Sequence, residues 1–190
     1  MKRHLVLLAM TVSLLLVQSA GAASLLTNGG FETGDLSGWS YSGDPNWFGF
    51  DVDTPNSGKY YAYFGEPGAM GVLSQSITTI PNTYYNVSFW MWSYGVPPGD
   101  LSNQFQVKWD GAVAFDQTDI LGDFPVVYTQ YQFTLLASST STLLEFGMRN
   151  DPWFTYLDDI SVNPVPIPGA VWLLGSGLVG LAGLRRKFKS

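Results

Sequence analysis

Cysteine is absent from the 190 residues, and histidine occurs once, as His4. Beyond that position the chain has neither thiol nor imidazole. Zinc and iron centres of the His/Cys kind are excluded there, as are Cys–His and Ser–His–Asp nucleophiles. A disulfide framework is excluded too, although a body of about 140 residues buries enough surface to fold without one. Cations are scarce in that body. Of nine Lys and Arg, only Lys59, Lys108 and Arg149 fall between positions 24 and 163, where all 15 Asp and Glu lie, leaving a formal charge of −12. Nucleic acid is a poor partner for such a surface, because affinity for phosphates rests on cations. An acidic polysaccharide is repelled unless a divalent ion bridges the two; a neutral glycan or a Ca²⁺-assisted contact fits better. Amphipathic helical periodicity is also missing. Lysine-dependent nucleophiles have two candidates, Lys59 and Lys108, with nothing beside them to recommend either. Paired-carboxylate glycoside hydrolysis stays chemically open. Acids are common on any acidic surface, however, and the expectation is a protein that is not an enzyme.

The cations missing from the middle are at the ends. Lys2, Arg3 and His4 precede an apolar stretch from Leu5 to Val17 and the small residues Ala20-Gly21-Ala22-Ala23. This is the pattern of a secretory signal peptide over residues 1–23, cut after Ala22 or Ala23. At the far end, Val165-Pro166-Ile167-Pro168 precedes an apolar run from Gly169 to Leu184 and the basic group Arg185-Arg186-Lys187. The run spans roughly 24 Å as a helix, against about 30 Å of hydrocarbon, so it reads as one short transmembrane helix. The basic group places the C-terminus in the cytoplasm and the body outside. Gly175, Ser176, Gly177, Gly180 and Gly183 give the helix a smooth face. That face suits either an ordinary single-pass anchor or close docking of a membrane processing enzyme.

Between the ends the only periodicity is two. Short aromatic-rich runs are expected as strands: 60–64, 73–78, 84–94, 103–109, 113–116, 127–135, 142–149 and 156–162. Gly, Pro, Asn and Asp punctuate the gaps, and Asp110-Gly111 carries a tight hairpin signal. Many short strands at this spacing predict an all-β sandwich or jelly roll over residues 24–163, joined by a brief proline-stiffened linker to the segment 164–190. Alternation sorts the faces. Val87, Phe89 and Met91 share one face, with Ser88, Trp90, Trp92 and Tyr94 opposite. Phe105, Val107 and Trp109 oppose Gln104, Gln106 and Lys108. Leu144, Phe146 and Met148 oppose Leu143, Glu145, Gly147 and Arg149. One set is core. The other places flat rings beside amide and charged donors, which is what a sugar ring needs: stacking for its C–H face and hydrogen bonds for its hydroxyls. Trp90, Trp92, Tyr94, Gln104, Gln106 and Arg149 are therefore the candidate ligand-binding residues. Trp90 and Trp92 leave one face about 7 Å apart. The competing reading is that a loop, such as the Trp39–Trp47 segment, covers them as part of the core.

Two resemblances add to this. The Pro motif, Val171-Trp172-Leu173-Leu174-Gly175-Ser176-Gly177-Leu178 and the basic end resemble the PEP-CTERM sorting signals of exopolysaccharide-producing Gram-negative bacteria, in their Val-Pro-Leu-Pro-Ala variant. Ile167 stands where the standard signal has Glu, and Gly169 where the variant often has Ala, which leaves the sorting subtype open. The resemblance implies an exosortase, a membrane cysteine transpeptidase-like enzyme, as partner. It also implies transient residence in the inner membrane and transfer of the body to the cell surface or extracellular matrix. The body resembles carbohydrate-binding-module jelly rolls through Leu26-Thr27-Asn28-Gly29-Gly30-Phe31-Glu32 with Gly38-Trp39, through Ser57-Gly58-Lys59-Tyr60-Tyr61-Ala62, and through Tyr156-Leu157-Asp158-Asp159-Ile160-Ser161-Val162. That resemblance implies a structural Ca²⁺ on Glu32 and Asp158, completed by backbone carbonyls of Gly30, Asn56 and Lys59. Counted along the strand, Asp158 lies in phase with Ile160 and Val162. It is expected to point inward, where a carboxylate needs a counter-ion, unless it caps a turn or meets the backbone. The resulting expectation is a non-catalytic surface protein that binds, or is embedded in, the extracellular polysaccharide of a biofilm. A self-associating matrix protein and a small glycosidase are the alternatives.

Processing of the tail is directly testable. Deleting residues 185–189 should leave unprocessed protein, and the mature surface form should lack Trp172 by mass spectrometry. A surface form that keeps Trp172 would overturn the sorting expectation.

Overall fold

The structure, a computed structural model, describes residues 23–94, 103–122, 125–151 and 153–166. The expected signal peptide up to Ala22 lies outside the described residues. So do Ile167, Pro168, the apolar span and the basic Arg185 and Arg186. No helix among the described residues is long and apolar enough to cross a membrane.

Among the described residues, ten strands form two five-stranded antiparallel sheets. They are β1 (Ser40–Ser42), β2 (Phe48–Asp51), β3 (Tyr61–Phe64), β4 (Gly71–Thr78), β5 (Thr83–Ser93), β6 (Asn103–Trp109), β7 (Ala112–Thr118), β8 (Thr129–Ala137), β9 (Ser141–Asn150) and β10 (Thr155–Pro164). One sheet has the order β1-β4-β9-β6-β7, the other β2-β3-β10-β5-β8. The expected all-β sandwich is present, with every anticipated strand in place and ends that differ by a few residues. β1 and β2 were not anticipated. At three and four residues, set among Gly, Pro and Asp, they are too short to display a period. The β6–β7 hairpin turns on Asp110 and Gly111 at φ 52° and 79°, the left-handed pair that a two-residue hairpin requires.

The core is the inward half of each alternation. Tyr85, Val87, Phe89 and Met91 from β5 face Phe105 and Val107 from β6 and Leu144, Phe146 and Met148 from β9, all buried. Phe89 sits at the centre, edge-on to Phe146 at 5.2 Å and tilted against Phe105 at 5.6 Å. Each such side chain contributes about 1.5–3 kcal/mol by leaving water.

Residues 24–39 close one side of this core rather than forming a strand. Leu25 N–H donates to Val162 O, Ile160 N–H donates to Gly29 O, and the Trp39 indole donates to Asn28 O. Phe31 and Trp39 are buried against each other at 5.7 Å. Gly29 is dictated by this closure, because a Cβ there would stand 2.1 Å from Ile160 O. Gly29→Ala is expected to lower unfolding stability by about 1–3 kcal/mol, since backbone rather than a pliant side chain must yield. An unchanged urea midpoint would contradict this account of the motif.

Candidate functional site

β3, β10 and β5 lie side by side in the middle of the second sheet, in a register that aligns Tyr63 with Tyr156 and Tyr156 with Trp92. The alternation that buries Ala62, Leu157 and Met91 turns these rings to the outer face. Ring centroids run Tyr61–Tyr156 at 4.6 Å, Tyr156–Trp92 at 4.9 Å, Trp92–Tyr94 at 4.4 Å and Tyr94–Trp153 at 5.7 Å. Tyr63 meets Phe154 at 5.1 Å, and Phe154 meets Trp47 at 5.8 Å. The result is an aromatic band of two ring chains, set side by side where Tyr63 pairs with Tyr156. Its exposed end is Trp153, 48 % accessible, stacked almost parallel on Tyr94.

The band corrects part of the sequence reading. Trp92 is only 4 % exposed, packed by Tyr94 and Tyr156, so it supports the surface and does not form it. Trp90, half-buried, pairs across the strands with Asp158 and Gln130. The Trp39–Trp47 segment is not the cover, since Trp39 belongs to the core and Trp47 packs on Phe154. The segment from Asp53 to Ser57 overhangs the face instead. Tyr61 donates to Asp53 Oδ1 at 2.6 Å and Tyr128 to Thr54 O at 3.0 Å. Burial raises both phenol pKa values, with Asp53 adding to the effect at Tyr61 and Asp158 at Tyr128, so both stay neutral donors. Trp153, Tyr156, Tyr61 and Tyr63 were not singled out in the sequence. Tyr61 and Tyr63 show the parity of an outward face, but Trp153 sits in a turn where no period points to it.

Gln104, Gln106 and Arg149 do not join Trp90, Trp92 and Tyr94. They stand on β6 and β9, on the outer face of the other sheet, with the whole core between the two sets. Alternation placed each side chain outside, but it carries no information about which sheet a strand joins. There Gln104 and Gln106 donate to the two oxygens of Asp116 at 2.8 and 3.0 Å. Arg149 is fastened to Asp151 Oδ2 at 2.6 Å. The depression between Met70, Val72, Gln106, Lys108, Glu145 and Gly147 holds only about 10 Å³, scarcely one water molecule.

The carboxylates expected to hold a metal gather on one loop. Glu32 accepts from Lys59 N–H at 2.9 and 3.0 Å and from Tyr60 N–H at 3.3 Å. Gly58, at φ 63°, lies so near that a Cβ would be 2.2 Å from Glu32 Oε1. Asp158 Oδ2 accepts from Asn56 and Ser57 N–H at 2.9 and 3.2 Å, and its Oδ1 accepts from Asp159 N–H at 2.7 Å. Asp159 binds the Asn56 amide and the Ser57 hydroxyl at 2.7 and 2.8 Å, and Gly30 lies against it. Asp158 is fully buried, as expected, but not for the expected reason. The register between β10 and β5 shifts between Asp158 and Ser161, with Asp159 at φ 48°. This bulge puts Asp158 out of phase with Ile160 and Val162 and in phase with Tyr156, beneath the 56–60 loop. Of the two alternatives the sequence left open, the contact with backbone is the one present. Asn56 and Lys59 turn N–H groups, not carbonyls, to the carboxylates. No three acidic or imidazole side chains among the described residues converge closely enough to hold a metal ion by themselves.

Burial, and then the charge of Asp159, push the Asp158 carboxyl up to about 7, against the pull of three N–H donors. The folded value lies above the ordinary one near 3.9, so the folded chain holds a proton that the unfolded chain has lost. This group's stabilisation is therefore fully present below about pH 4 and is lost as pH rises through 7, with a slope of at most about 1.4 kcal/mol per pH unit. In metal-free buffer, wild type should lose melting temperature across that window relative to Asp158→Asn. Parallel profiles for the two proteins would refute it.

Residues 23–151 match the family described as carbohydrate binding domain (CBM_4_9). Among solved structures, the fold is similar to TmCBM61, determined with β-1,4-galactotriose. Identity there is 18 % and the TM-score 0.58, over 76 % of this chain and 100 % of that one. It is also similar to the CBM22-1 xylan-binding domain of Paenibacillus barcinonensis Xyn10C, at 20 % identity and a TM-score of 0.51, over 78 % and 99 % of the two chains. A cyclase from Fischerella sp. TAU, Fisc, shares the fold at 17 % identity and a TM-score of 0.52, over 77 % and 99 %. A comparison with curated proteins returned no match. At these identities the structural likeness establishes the fold alone, and that fold is used by binding modules and by a cyclase alike. The family match covers well over half of the chain, and the protein belongs to the carbohydrate-binding domain family.

Proposed function

We propose that this is a non-catalytic glycan-binding protein of the cell surface or extracellular matrix, and that its ligand, a neutral polysaccharide, lies along the aromatic band with Trp153 as its exposed platform. The observation that carries this reading is the stack Trp153–Tyr94–Trp92–Tyr156, which ends at solvent in a flat indole held from behind. A ring so supported meets a sugar face without first losing rotamer freedom. The family supports a binding role. Two structural relatives are described with xylan and with galactotriose. The scarcity of cations argues for a neutral chain. Delivery follows the PEP-CTERM-like tail, through an exosortase-like enzyme.

Ca²⁺ belongs to the same proposal as a structural ion. The donor chemistry fits: Glu32, Asp158 and Asp159 offer hard oxygens to one loop, and two of them are adjacent like charges, one buried. Lys59, the nearest cation in sequence, reaches the Tyr60 hydroxyl at 3.1 Å and lies over its ring. A bound ion would neutralise the pair that burial now penalises.

The test is retention of the exported protein on neutral polysaccharides, with and without chelator. Trp153→Ala should weaken retention roughly tenfold, about 1.4 kcal/mol, at little loss of stability, because half of that ring is in water. Trp92→Ala should instead lower stability by about 3–5 kcal/mol. Chelation should lower the melting temperature of wild type but not of Asp158→Ala; the difference is about 2.7 kcal/mol when the ion stands at 100 times its Kd. Failure of wild type to bind any neutral polysaccharide would favour the self-associating matrix protein.

A further inference from the structure

β7 and β8 are the free edges of the two sheets on one side of the sandwich. At their middle they are joined by Phe115, which packs on Tyr131 at 5.2 Å and Phe133 at 5.5 Å. Past Tyr131 this contact ends. There, beside the last residues of β5, is a cavity of about 320 Å³. Gln117, Asp119, Thr129, Trp92 and Tyr131 line it, above an apolar floor that includes Met91 and Ile120.

The cavity is built, not merely left over. Asn103, buried, grips Ile120 with both ends of its amide: Nδ2 donates to Ile120 O and Oδ1 accepts from Ile120 N–H, each at 2.8 Å. This clamp fixes the turn that carries Asp119, whose φ is 56°. Tyr131 Oη donates to Gln117 Oε1 at 3.4 Å, linking the two edges at the inner limit of the opening. Ser93, also on the wall, belongs to a buried polar chain with Thr155 and Asn150, and the Asn150 Oδ1 at its end has no hydrogen-bond donor. Buried acceptors are rarely left so.

The lining defines the chemistry of an occupant. No Lys or Arg contributes to it, and Asp119 is acidic, so a carboxylated, sulfated or phosphorylated sugar is disfavoured. The Tyr131 ring, an apolar floor, an amide and a hydroxyl suit an uncharged ring with several hydroxyls. The volume is at the lower end for small-molecule sites, about 300–1,000 Å³. A long chain lies along a face, whereas a cavity of this size admits only its end. We propose that this cavity is a second carbohydrate site, separate from the Trp153 platform, which receives the terminal residue of a neutral glycan chain. It rests on the glycan-binding reading above and adds to it the recognition of chain ends.

The two sites differ in their dependence on chain length. Binding along a face strengthens as the oligosaccharide grows; binding of an end does not. The exported protein is titrated calorimetrically with neutral β-1,4-linked galacto- and xylo-oligosaccharides of increasing length. The proposal expects a component of constant affinity from the disaccharide upward. Gln117→Ala, Asp119→Asn and the space-filling Thr129→Trp should each weaken that component by roughly tenfold, and Trp153→Ala should leave it unchanged. Asn tolerates the left-handed backbone at 119, and Gln117 and Thr129 are accessible, so these variants should melt as wild type does. Affinity that rises steadily with length and ignores the three cavity variants would overturn the second site while leaving the platform standing. Retention on polysaccharide with no oligosaccharide binding would do the same. Absence of both would remove the two readings together.

Discussion

β10 runs through the middle of its sheet, between β3 and β5, and one extra residue at Asp159 divides it into halves of opposite parity. On the first half Leu157 is buried and Tyr156 faces out; on the second Ile160 and Val162 are buried. Each half can therefore give apolar side chains to the core even though the Asp-Asp pair interrupts the alternation. The bulge also frees Asp159 N–H for Asp158 Oδ1 and turns both carboxylates toward the 56–60 loop. That loop is held by Glu32 from the N-terminal segment, and the same segment is sewn to β10 through Gly29 and Ile160. Three stretches remote in sequence thus meet at one irregularity of a central strand. Bulges bend and twist the strand that carries them; here the bulge lets Tyr156 face the outer band while Ile160 and Val162, beyond it, still reach the core.

The same junction concentrates a charge problem. Glu32 and Asp158 are met there by backbone N–H groups and Asp159 by the Asn56 amide and Ser57 hydroxyl, and the body has only three cations to offer anywhere. Arg149 is committed to Asp151 on the far sheet, and Lys59 to Tyr60. Backbone donors satisfy the hydrogen-bonding capacity of Asp158 but do not supply an opposite charge, which is why its proton is held so firmly. A proton discharges the pair, and the Ca²⁺ proposed above would compete with it. This links the pH profile of the free protein to its response to chelation.

Much of this was legible in the sequence, and the limits fall at particular residues. Phe89, Phe105 and Phe146 announce their faces by alternation, and the hairpin at Asp110-Gly111 by its two left-handed residues. Gln104 and Arg149 announce equally well that they point outward. Nothing local says that β6 and β9 lie in the other sheet from β5, because strand partnership is set by contacts distant in sequence. Asp158 is the converse case. Its burial was expected from a parity shared with Ile160 and Val162, but a bulge breaks that parity, and one added residue inverts every assignment beyond it. Trp92 and Trp153 show the same limit. The tryptophan inside a strand with evident parity is covered, and the accessible one sits in a turn that has no parity to read.

The arrangement has a polarity along the strands. Phe64, Ser93, Asn103, Thr118, Thr129, Asn150 and Thr155 all lie at one end of the sandwich, as the pairings Thr155 with Phe64 and Ser93, Met91 with Thr129, Asn103 with Asn150, and Gln104 with Thr118 require. Trp153, Tyr94 and the wall of the cavity belong to that end. β10 then carries the chain away from it, and Val165 N–H closes on Tyr84 O at the other. Ten residues of extended chain amount to about 33 Å. The last described residues, up to Pro166, therefore lie at the end opposite Trp153, Tyr94 and the cavity wall. For the surface glycan binder proposed above, the single crossing of β10 suffices to separate Trp153 and the cavity from the last described residues, without any further element.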